Sequence, residues 1–152
     1  ALTMASITPH LSWEEVLRGS GVDSIDGLPP GVEEAIRKMA EVMFEPIRNE
    51  WGAGLRVVSG YRTPDKNRRV GGARNSMHVR GLALDLVPVG EDGRFHVEAL
   101  HALADRMQRD GRIPPGGLGL YLRADGSGRF SHVDCRGHLA RWRSQRKDGL
   151  EA

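Results

Sequence analysis

The stretch Ser76-Met-His78-Val-Arg-Gly81-Leu-Ala-Leu-Asp85-Leu-Val87 decides how the centre of this chain folds. Its second half alternates, with Leu82, Leu84 and Leu86 at every other position. Side chains of a β-strand point alternately to the two faces of a sheet, so the leucines share one face and Asp85 lies on the other. The run therefore predicts a strand that buries its leucines and presents a carboxylate on its opposite face.

A second stretch, Phe130-Ser-His132-Val-Asp134-Cys135, alternates in the same way. Phe130, His132 and Asp134 are predicted to share one face of a strand. Cys135 falls on the other face, which favours a small buried hydrophobic residue over a metal ligand. The stretch therefore predicts a strand with an imidazole and a carboxylate on one side.

The rest of the chain supplies helices around these strands. Ser12 and Glu15 have the spacing of a capping box, which predicts a short helix. Apolar residues three or four apart predict helices over residues 31–50 and 95–110. Pro46 lies within the first of these and is expected to kink or end it.

Strands are predicted at residues 55–59, 82–87, 117–122 and 129–135. An Asp-Gly pair between the last two strands is typical of a hairpin loop. Residues 60–81 have little apolar content, and a structureless stretch of that length is usually functional. The predicted fold class is α+β, a small antiparallel sheet with helices packed on one face.

Composition narrows the class of protein. The 152 residues fit one domain, 1–152, with a polar basic tail at about 143–152. One cysteine excludes an internal disulfide and zinc modules that need two or more cysteines. The 22 basic and 20 acidic residues nearly balance, so charge does not predict a nucleic-acid partner.

Membrane insertion is not predicted either. No apolar run reaches the roughly 18 residues of a membrane span. Residues 1–10 lack a charged start and a long apolar segment, so no signal peptide is visible.

Three side chains point to metal chemistry. His78, Asp85 and His132 offer two imidazoles and a carboxylate, a ligand set that suits zinc. Three protein ligands leave one position for water, which is the catalytic arrangement. His96 and His101 are five residues apart and diverge by about 140° around a helix, so they do not form a competing site.

These residues lie in a pattern that resembles the M15 family of zinc peptidases. The residues that carry the resemblance lie in 59–88 and 117–142, and the run Ser-x-His-x-x-Gly-x-Ala-x-Asp from Ser76 to Asp85 is highly specific. The family includes D-Ala-D-Ala carboxypeptidases, phage endolysin peptidases and dipeptidases of vancomycin resistance. The resemblance implies a Hedgehog/D-Ala-D-Ala-peptidase-like fold and Zn²⁺ as the cofactor.

The resemblance also assigns roles. The family's zinc ligands fall on His78, Asp85 and His132. Arg62 matches the arginine that binds a substrate carboxylate or stabilises a developing oxyanion, and its charged fork suits either role. Tyr61 and Ser76 match positions that line the cleft.

One position departs from the family. Many members carry an acid three residues before the second histidine ligand, as general base, and this chain has Arg129 there. Asp134 is the nearest substitute on the same strand face. It acts either as the base or as a group that orients His132. Asp125, in the hairpin loop, is a weaker candidate because a hairpin Asp-Gly pair is usually only a turn.

The resemblance implies a zinc peptidase that cleaves stem or cross-bridge peptides of peptidoglycan. The alternative is a zinc-stabilised, catalytically weak or inactive cell-wall-binding or phage structural module, which the missing acid motivates. Action at the bacterial cell wall or periplasm, after export or phage delivery, and a monomeric state are expected, with no nucleic acid or membrane as partner. Four arginines near the proposed site form either a solvated loop or a surface that attracts anionic substrate: Arg68, Arg69, Arg74 and Arg80.

Overall fold

The computed structural model describes residues 5–90 and 93–147. The helices are α1 (Trp13–Leu17), α2 (Val32–Met39), α3 (Glu45–Trp51), α4 (Pro64–Arg69) and α5 (Gly93–Arg109). The strands are β1 (Ser6–Thr8), β2 (Leu11–Ser12), β3 (Leu55–Ser59), β4 (Ala83–Pro88), β5 (Gly117–Leu122), β6 (Gly128–Asp134) and β7 (Ala140–Gln145). The α+β class is confirmed.

The main sheet has five strands in the order β3-β4-β6-β5-β7. The first four pair antiparallel, but β7 runs parallel to β5. The prediction of a purely antiparallel sheet is therefore wrong, and the sheet is mixed. A separate two-stranded sheet is formed by β1 and β2.

The fifth strand arises from residues that look like a solvated tail. Arg141 on β7 pairs with Asp105 of α5 at 2.8 Å, so its charge is neutralised against the helix layer. Trp142, the next residue, turns to the opposite face of the sheet. Residues 143–145 lie in β7 with exposed side chains, while residues 148–152 lie outside the described part of the chain. The polar basic tail at about 143–152 stays a prediction.

The helices of the main core pack on one face of the sheet, as the leucine alternation predicts. Leu84 and Leu86 of β4 are fully buried in the main hydrophobic core. Helix α5 packs against β4, β5 and β6. Among the helices of the described ranges, none has the length and apolar character that crossing a bilayer needs.

The long helix continues past Pro46 because its geometry changes locally. A π-helical segment, Ala40–Phe44, lies between α2 and α3, and the amide of Glu45 donates to the carbonyl of Ala40. Proline has no N–H and its ring crowds the carbonyl four residues earlier, and a wider turn relieves that conflict. The helix therefore continues through Pro46 to Trp51.

The orientation predicted for Cys135 leads to a test of thiol reactivity. Its side chain packs against the main core, and burial followed by the nearby charge of Asp134 raises the pKa of the thiol to about 11. A thiol with a raised pKa holds little reactive thiolate at neutral pH. We expect native protein to react with iodoacetamide at pH 8 at least about tenfold more slowly than urea-unfolded protein, with the native rate rising towards pH 11.

Mass spectrometry of timed samples measures this rate, and free cysteine in the same buffers is the control. The raised pKa also makes the folded state lose stability as pH rises from the unfolded value towards 11, because the unfolded thiol ionises first. Equal rates in native and unfolded protein at pH 8 would contradict the burial of Cys135.

Candidate metal centre

One row of residues crosses the whole sheet on the face away from the helices. The strand registers pair Ser59 with Asp85, Asp85 with His132, His132 with Gly119, and Gly119 with Trp142. Each strand of the main sheet therefore contributes one residue to the row. Two of the predicted ligands, Asp85 and His132, are direct cross-strand neighbours.

His78 reaches this row from the loop between α4 and β4. Its Nδ1–H donates to the carbonyl of Gly60 at 2.7 Å, and its Nε2 lies 3.2 Å from Oδ1 of Asp85. Gly81 has a φ of 75°, which lets the chain turn sharply between His78 and β4. The loop is thereby folded so that His78 is 3% exposed and faces the sheet.

His132 is fixed in the same manner from the other side. Its Nδ1 lies 3.0 Å from Oδ1 of Asp85, and its Nε2–H donates to Oδ2 of Asp134 at 2.8 Å. A carboxylate on the far nitrogen sets the tautomer of a histidine ligand and orients its ring. The nitrogen that faces Asp85 is therefore the one available for ligation.

The three donors fit a divalent cation. One ligand atom from each of His78, Asp85 and His132 lies within 4.8 Å of the others, and all three residues are buried. When each imidazole is neutral and carries its hydrogen on the nitrogen that faces away from Asp85, the nitrogen that faces Asp85 presents a lone pair to the carboxylate oxygen. Two nitrogens and one oxygen gathered in this way are a donor set that suits Zn²⁺.

The electrostatics agree with this geometry. Burial alone raises the pKa of the Asp85 carboxyl, but the charge and hydrogen bonds of the two histidines outweigh burial and hold that pKa well below its usual range. Burial lowers the pKa of His132, yet its hydrogen bonds to Asp134 and Asp85 outweigh burial and raise it. Asp85 is therefore ionised and ready to bind a cation at neutral pH.

Asp134 is occupied on both oxygens. It is fully buried and accepts from the amide of Gly117 at 2.7 Å, from Arg136 Nη2 at 2.8 Å and from His132. Burial raises its pKa, but these hydrogen bonds and the charge of His132 outweigh burial and lower it. This geometry fits the orienting role, because Asp134 lies behind His132 as seen from Asp85. The role of general base stays a prediction.

A scan against protein-family models supplies independent support. Residues 10–111, which are 102 of the 152 in the chain, match the family Peptidase M15. The chain belongs to the peptidase M15 family. Members of this family are metal-dependent, and the buried His-Asp-His group is a candidate for the metal site of this M15 peptidase. A search of curated proteins gave no match.

The matched range ends before β5 and so contains only part of the site. His78 and Asp85 lie inside it, whereas His132 lies 21 residues beyond its last residue, 111. The structure brings His132 to Asp85 through the antiparallel pairing of β4 and β6. The third candidate ligand of this M15 peptidase is therefore placed by the fold.

Arg62 stands beside the candidate ligands. Its Nη2 lies 3.6 Å from Oδ2 of Asp85, its Nε donates to Ser59 at 3.1 Å and its Nη1 donates to Asn67 at 3.2 Å. These contacts hold the guanidinium against the cleft of the M15 peptidase, where the predicted role in binding a carboxylate or oxyanion requires it. That role stays a prediction.

The two residues expected to line the cleft differ in placement. Ser76 lines the cleft, and its Oγ accepts from the amide of His78 at 3.2 Å. Tyr61 is 2% exposed and lies in the main hydrophobic core. The prediction for Tyr61 is wrong: its amide donates to the carbonyl of Val16 at 3.0 Å, and the side chain packs inward while Arg62 turns outward.

The cleft above the sheet has a volume of about 780 Å³. Among the described residues that line it, Asp85 is the single carboxylate. Arg129, at the position where many relatives carry an acid, lies with its guanidinium 5.0 Å from the ring centroid of Phe130. Asp125 stays in the hairpin turn, where it accepts from the amide of Ser127 at 2.9 Å, and it does not line the cleft.

Sequence reasoning missed Trp142. Its ring lies over Gly119, 5.1 Å from the His132 ring, and its Nε1–H donates to the Tyr121 hydroxyl at 3.0 Å. The guanidinium of Arg136 lies over the same ring, 5.2 Å from its centroid. The sequence feature that could have indicated it is a tryptophan between two arginines, Arg141 and Arg143. Gly119 on the neighbouring strand leaves room for the indole ring.

Replacing Gly119 by alanine tests this packing. A Cβ there would overlap with Nε1 of Trp142, so the indole must shift from its present position. We expect a loss of about 1–3 kcal/mol in unfolding free energy, as for other overpacked sites. Urea unfolding measures the loss, and near-ultraviolet circular dichroism should show a changed tryptophan environment.

Gly126→Ala is a comparison in which the space beside the added Cβ is open. The Gly126 variant should lose only the unfolding free energy that a non-glycine residue costs at a φ of 85°. Its tryptophan spectrum should be unchanged. An unaltered spectrum in the Gly119 variant would show that the indole does not rest on this glycine.

Proposed function

We propose that this M15 peptidase is a zinc-dependent hydrolase that cleaves stem or cross-bridge peptides of peptidoglycan. The observation that carries the proposal is the convergence of His78, Asp85 and His132 at the floor of one cleft, with Arg62 beside them. Carboxypeptidase and endopeptidase action of the D-Ala-D-Ala or endolysin type both fit this proposal. The Hedgehog/D-Ala-D-Ala-peptidase-like fold is proposed on the same family membership.

Each side chain has a part in the proposed reaction. Zinc held by the three ligands would act as a Lewis acid and bring the pKa of water to about 7. Arg62 donates hydrogen bonds to a substrate carboxylate or to the oxyanion that develops at the attacked carbonyl. Asp134 keeps the His132 ring in place by accepting its Nε2–H.

The test is direct cleavage of purified peptidoglycan. Zinc-loaded protein should release D-alanine or expose new amino termini, and chelation should abolish the release. Adding Zn²⁺ back restores activity, whereas Mg²⁺ does not, because Mg²⁺ prefers an octahedral set of oxygen ligands. Full activity in a metal-free preparation would exclude zinc catalysis.

One observation favours a second candidate function. Arg129 replaces the family's acid, and the described lining of the cleft holds no carboxylate besides Asp85. A zinc-stabilised cell-wall-binding or phage structural module without catalysis fits that lack of a base. Co-sedimentation with peptidoglycan without new amino termini would support the module and exclude the peptidase.

Place and partners follow from the proposed substrate. We propose that the protein acts at the bacterial cell wall or periplasm, after export or phage delivery, as a monomer. Neither nucleic acid nor membrane is a proposed partner.

A further inference from the structure

Three aromatic side chains line one continuous part of the cleft beside the candidate metal site. The Tyr121 and Phe130 rings, from paired residues of β5 and β6, are stacked with centroids 4.5 Å apart and an interplanar angle of 15°. Trp142 of β7 donates from Nε1 to the Tyr121 hydroxyl at 3.0 Å, and its ring centroid lies 5.1 Å from that of His132. All four residues line the cleft. We refer to Tyr121, Phe130 and Trp142 as the aromatic wall.

The hydrogen bond from Trp142 determines how the Tyr121 hydroxyl can be used. An indole N–H is a donor only, so it occupies a lone pair of the hydroxyl oxygen. The hydroxyl also carries one hydrogen, which needs an acceptor of its own. Within residues 5–90 and 93–147, no side chain or carbonyl accepts a hydrogen bond from Tyr121. The donor capacity of this hydroxyl is therefore left for a molecule in the cleft.

The hydroxyl is also held in a fixed position. Stacking on Phe130 sets the plane of the Tyr121 ring, and the bond from Trp142 holds its tip. The side chain is half-buried in the wall, so most of its rotamer freedom is lost before a ligand arrives. A donor that is already ordered binds an acceptor at a smaller entropic cost than a mobile one.

The position of the hydroxyl lets it contact a molecule that occupies the candidate metal site. Trp142 links the two places, because its Nε1 contacts the hydroxyl while its ring lies beside His132. An extended peptide advances about 3.3–3.6 Å per residue, so a group about one to three residues from the cleaved bond reaches the hydroxyl. The arginines of the cleft suit anionic groups, whereas a neutral hydroxyl suits the neutral carbonyl of a peptide bond.

We propose that the Tyr121 hydroxyl donates a hydrogen bond to a main-chain carbonyl of the substrate, about one to three residues from the cleaved bond. The preferred substrate class is then a peptide that is bound in extended form along the aromatic wall and has an intact amide at that position. This inference rests on the proposed peptidase function and adds a specificity-determining residue to it.

Tyr121→Phe removes the hydroxyl and keeps the ring that stacks on Phe130. In zinc-loaded protein it should lower kcat/KM on a peptidoglycan peptide about tenfold, mainly by raising KM, which is the effect of one lost hydrogen bond. Tyr61→Phe is the matched control, because Tyr61 is the second of the two tyrosines and lies in the main hydrophobic core. The control should leave kcat/KM unchanged, and circular dichroism confirms that both variants fold.

A set of altered substrates distinguishes direct contact from a structural effect. In each peptide one amide away from the cleaved bond is replaced by a trans-alkene, which keeps the shape and removes the carbonyl oxygen. One of these peptides should lose about tenfold in kcat/KM with the wild-type protein and lose nothing further with Tyr121→Phe, because the contact is already absent. If the substitution instead lowers kcat/KM by the same factor for every peptide, the inference is overturned.

Calorimetric binding of the same peptides to metal-free protein separates the two proposals. Weaker binding of the intact peptide to Tyr121→Phe, without cleavage by the zinc-loaded wild type, supports the hydroxyl contact and contradicts the peptidase. Cleavage by the wild type that Tyr121→Phe leaves unchanged supports the peptidase and overturns the inference.

Discussion

Asp85→Asn is expected to abolish tight zinc binding and to lower peptidase activity by more than about 100-fold. Loss of a group that only orients a ligand costs about 10–100-fold in metal affinity, and loss of a ligand's charge costs more. Asp85 lies between both histidines, so its neutral amide would also leave two inner imidazole nitrogens without an anion beside them. Zinc titration with a competing chelator measures the affinity, and peptide release measures the activity.

Asp65→Asn is the matched control for this change. Asp65 is an exposed acid on α4 that pairs with Arg68 and does not line the cleft. It should bind zinc and cleave peptide as the unaltered protein does. Wild-type zinc affinity in the Asp85 variant would remove Asp85 from the ligand set and leave the proposed site without a charged donor.

Asp134→Ala is expected to lower the unfolding free energy by about 3 kcal/mol and the Tm by about 10 °C. The carboxylate is fully buried and accepts from His132, Gly117 and Arg136. Its removal leaves the His132 Nε2–H and the Gly117 amide without an acceptor in the interior. Thermal and urea unfolding of metal-free protein give both quantities, so the result is independent of catalysis.

The conservative change Asp134→Asn separates shape from charge. Its amide oxygen still accepts one hydrogen bond, so more stability is retained than with alanine. Zinc affinity should fall about 10–100-fold, because the His132 ring loses the anion that orients it. A variant that keeps wild-type zinc affinity and stability would show that Asp134 does not hold His132.

Local patterns and the resemblance to the M15 family together predicted the candidate ligands. The two-residue period of strands β4 and β6 predicts which way Asp85 and His132 point, and the structure pairs them directly. The two-residue period of the side chains does not by itself predict which strand a given strand pairs with, or the path of a loop. His78 and Asp85 are seven residues apart, and their side chains meet only because the turn at Gly81 folds the loop over the sheet.

The wrong predictions have physical causes. Parallel pairing of β7 with β5 needs no tight turn, so no hairpin signal marks it in the sequence. The basic residues of β7 give no apolar alternation that would mark a strand, and Arg141 is matched by Asp105 of the packed helix. Tyr61 neighbours Arg62 in sequence, but adjacent residues on an extended segment face opposite ways, and only the fold shows which one faces the core.

The single row across all five strands has a consequence for folding. Asp85 and His132 are 47 residues apart in sequence and become neighbours only when β4 and β6 are paired in register. A register slip of one residue in any one strand would turn that strand's member of the row to the helix side. Metal uptake during refolding therefore reports the completed sheet, and an indicator dye that loses zinc to the protein would time that long-range closure.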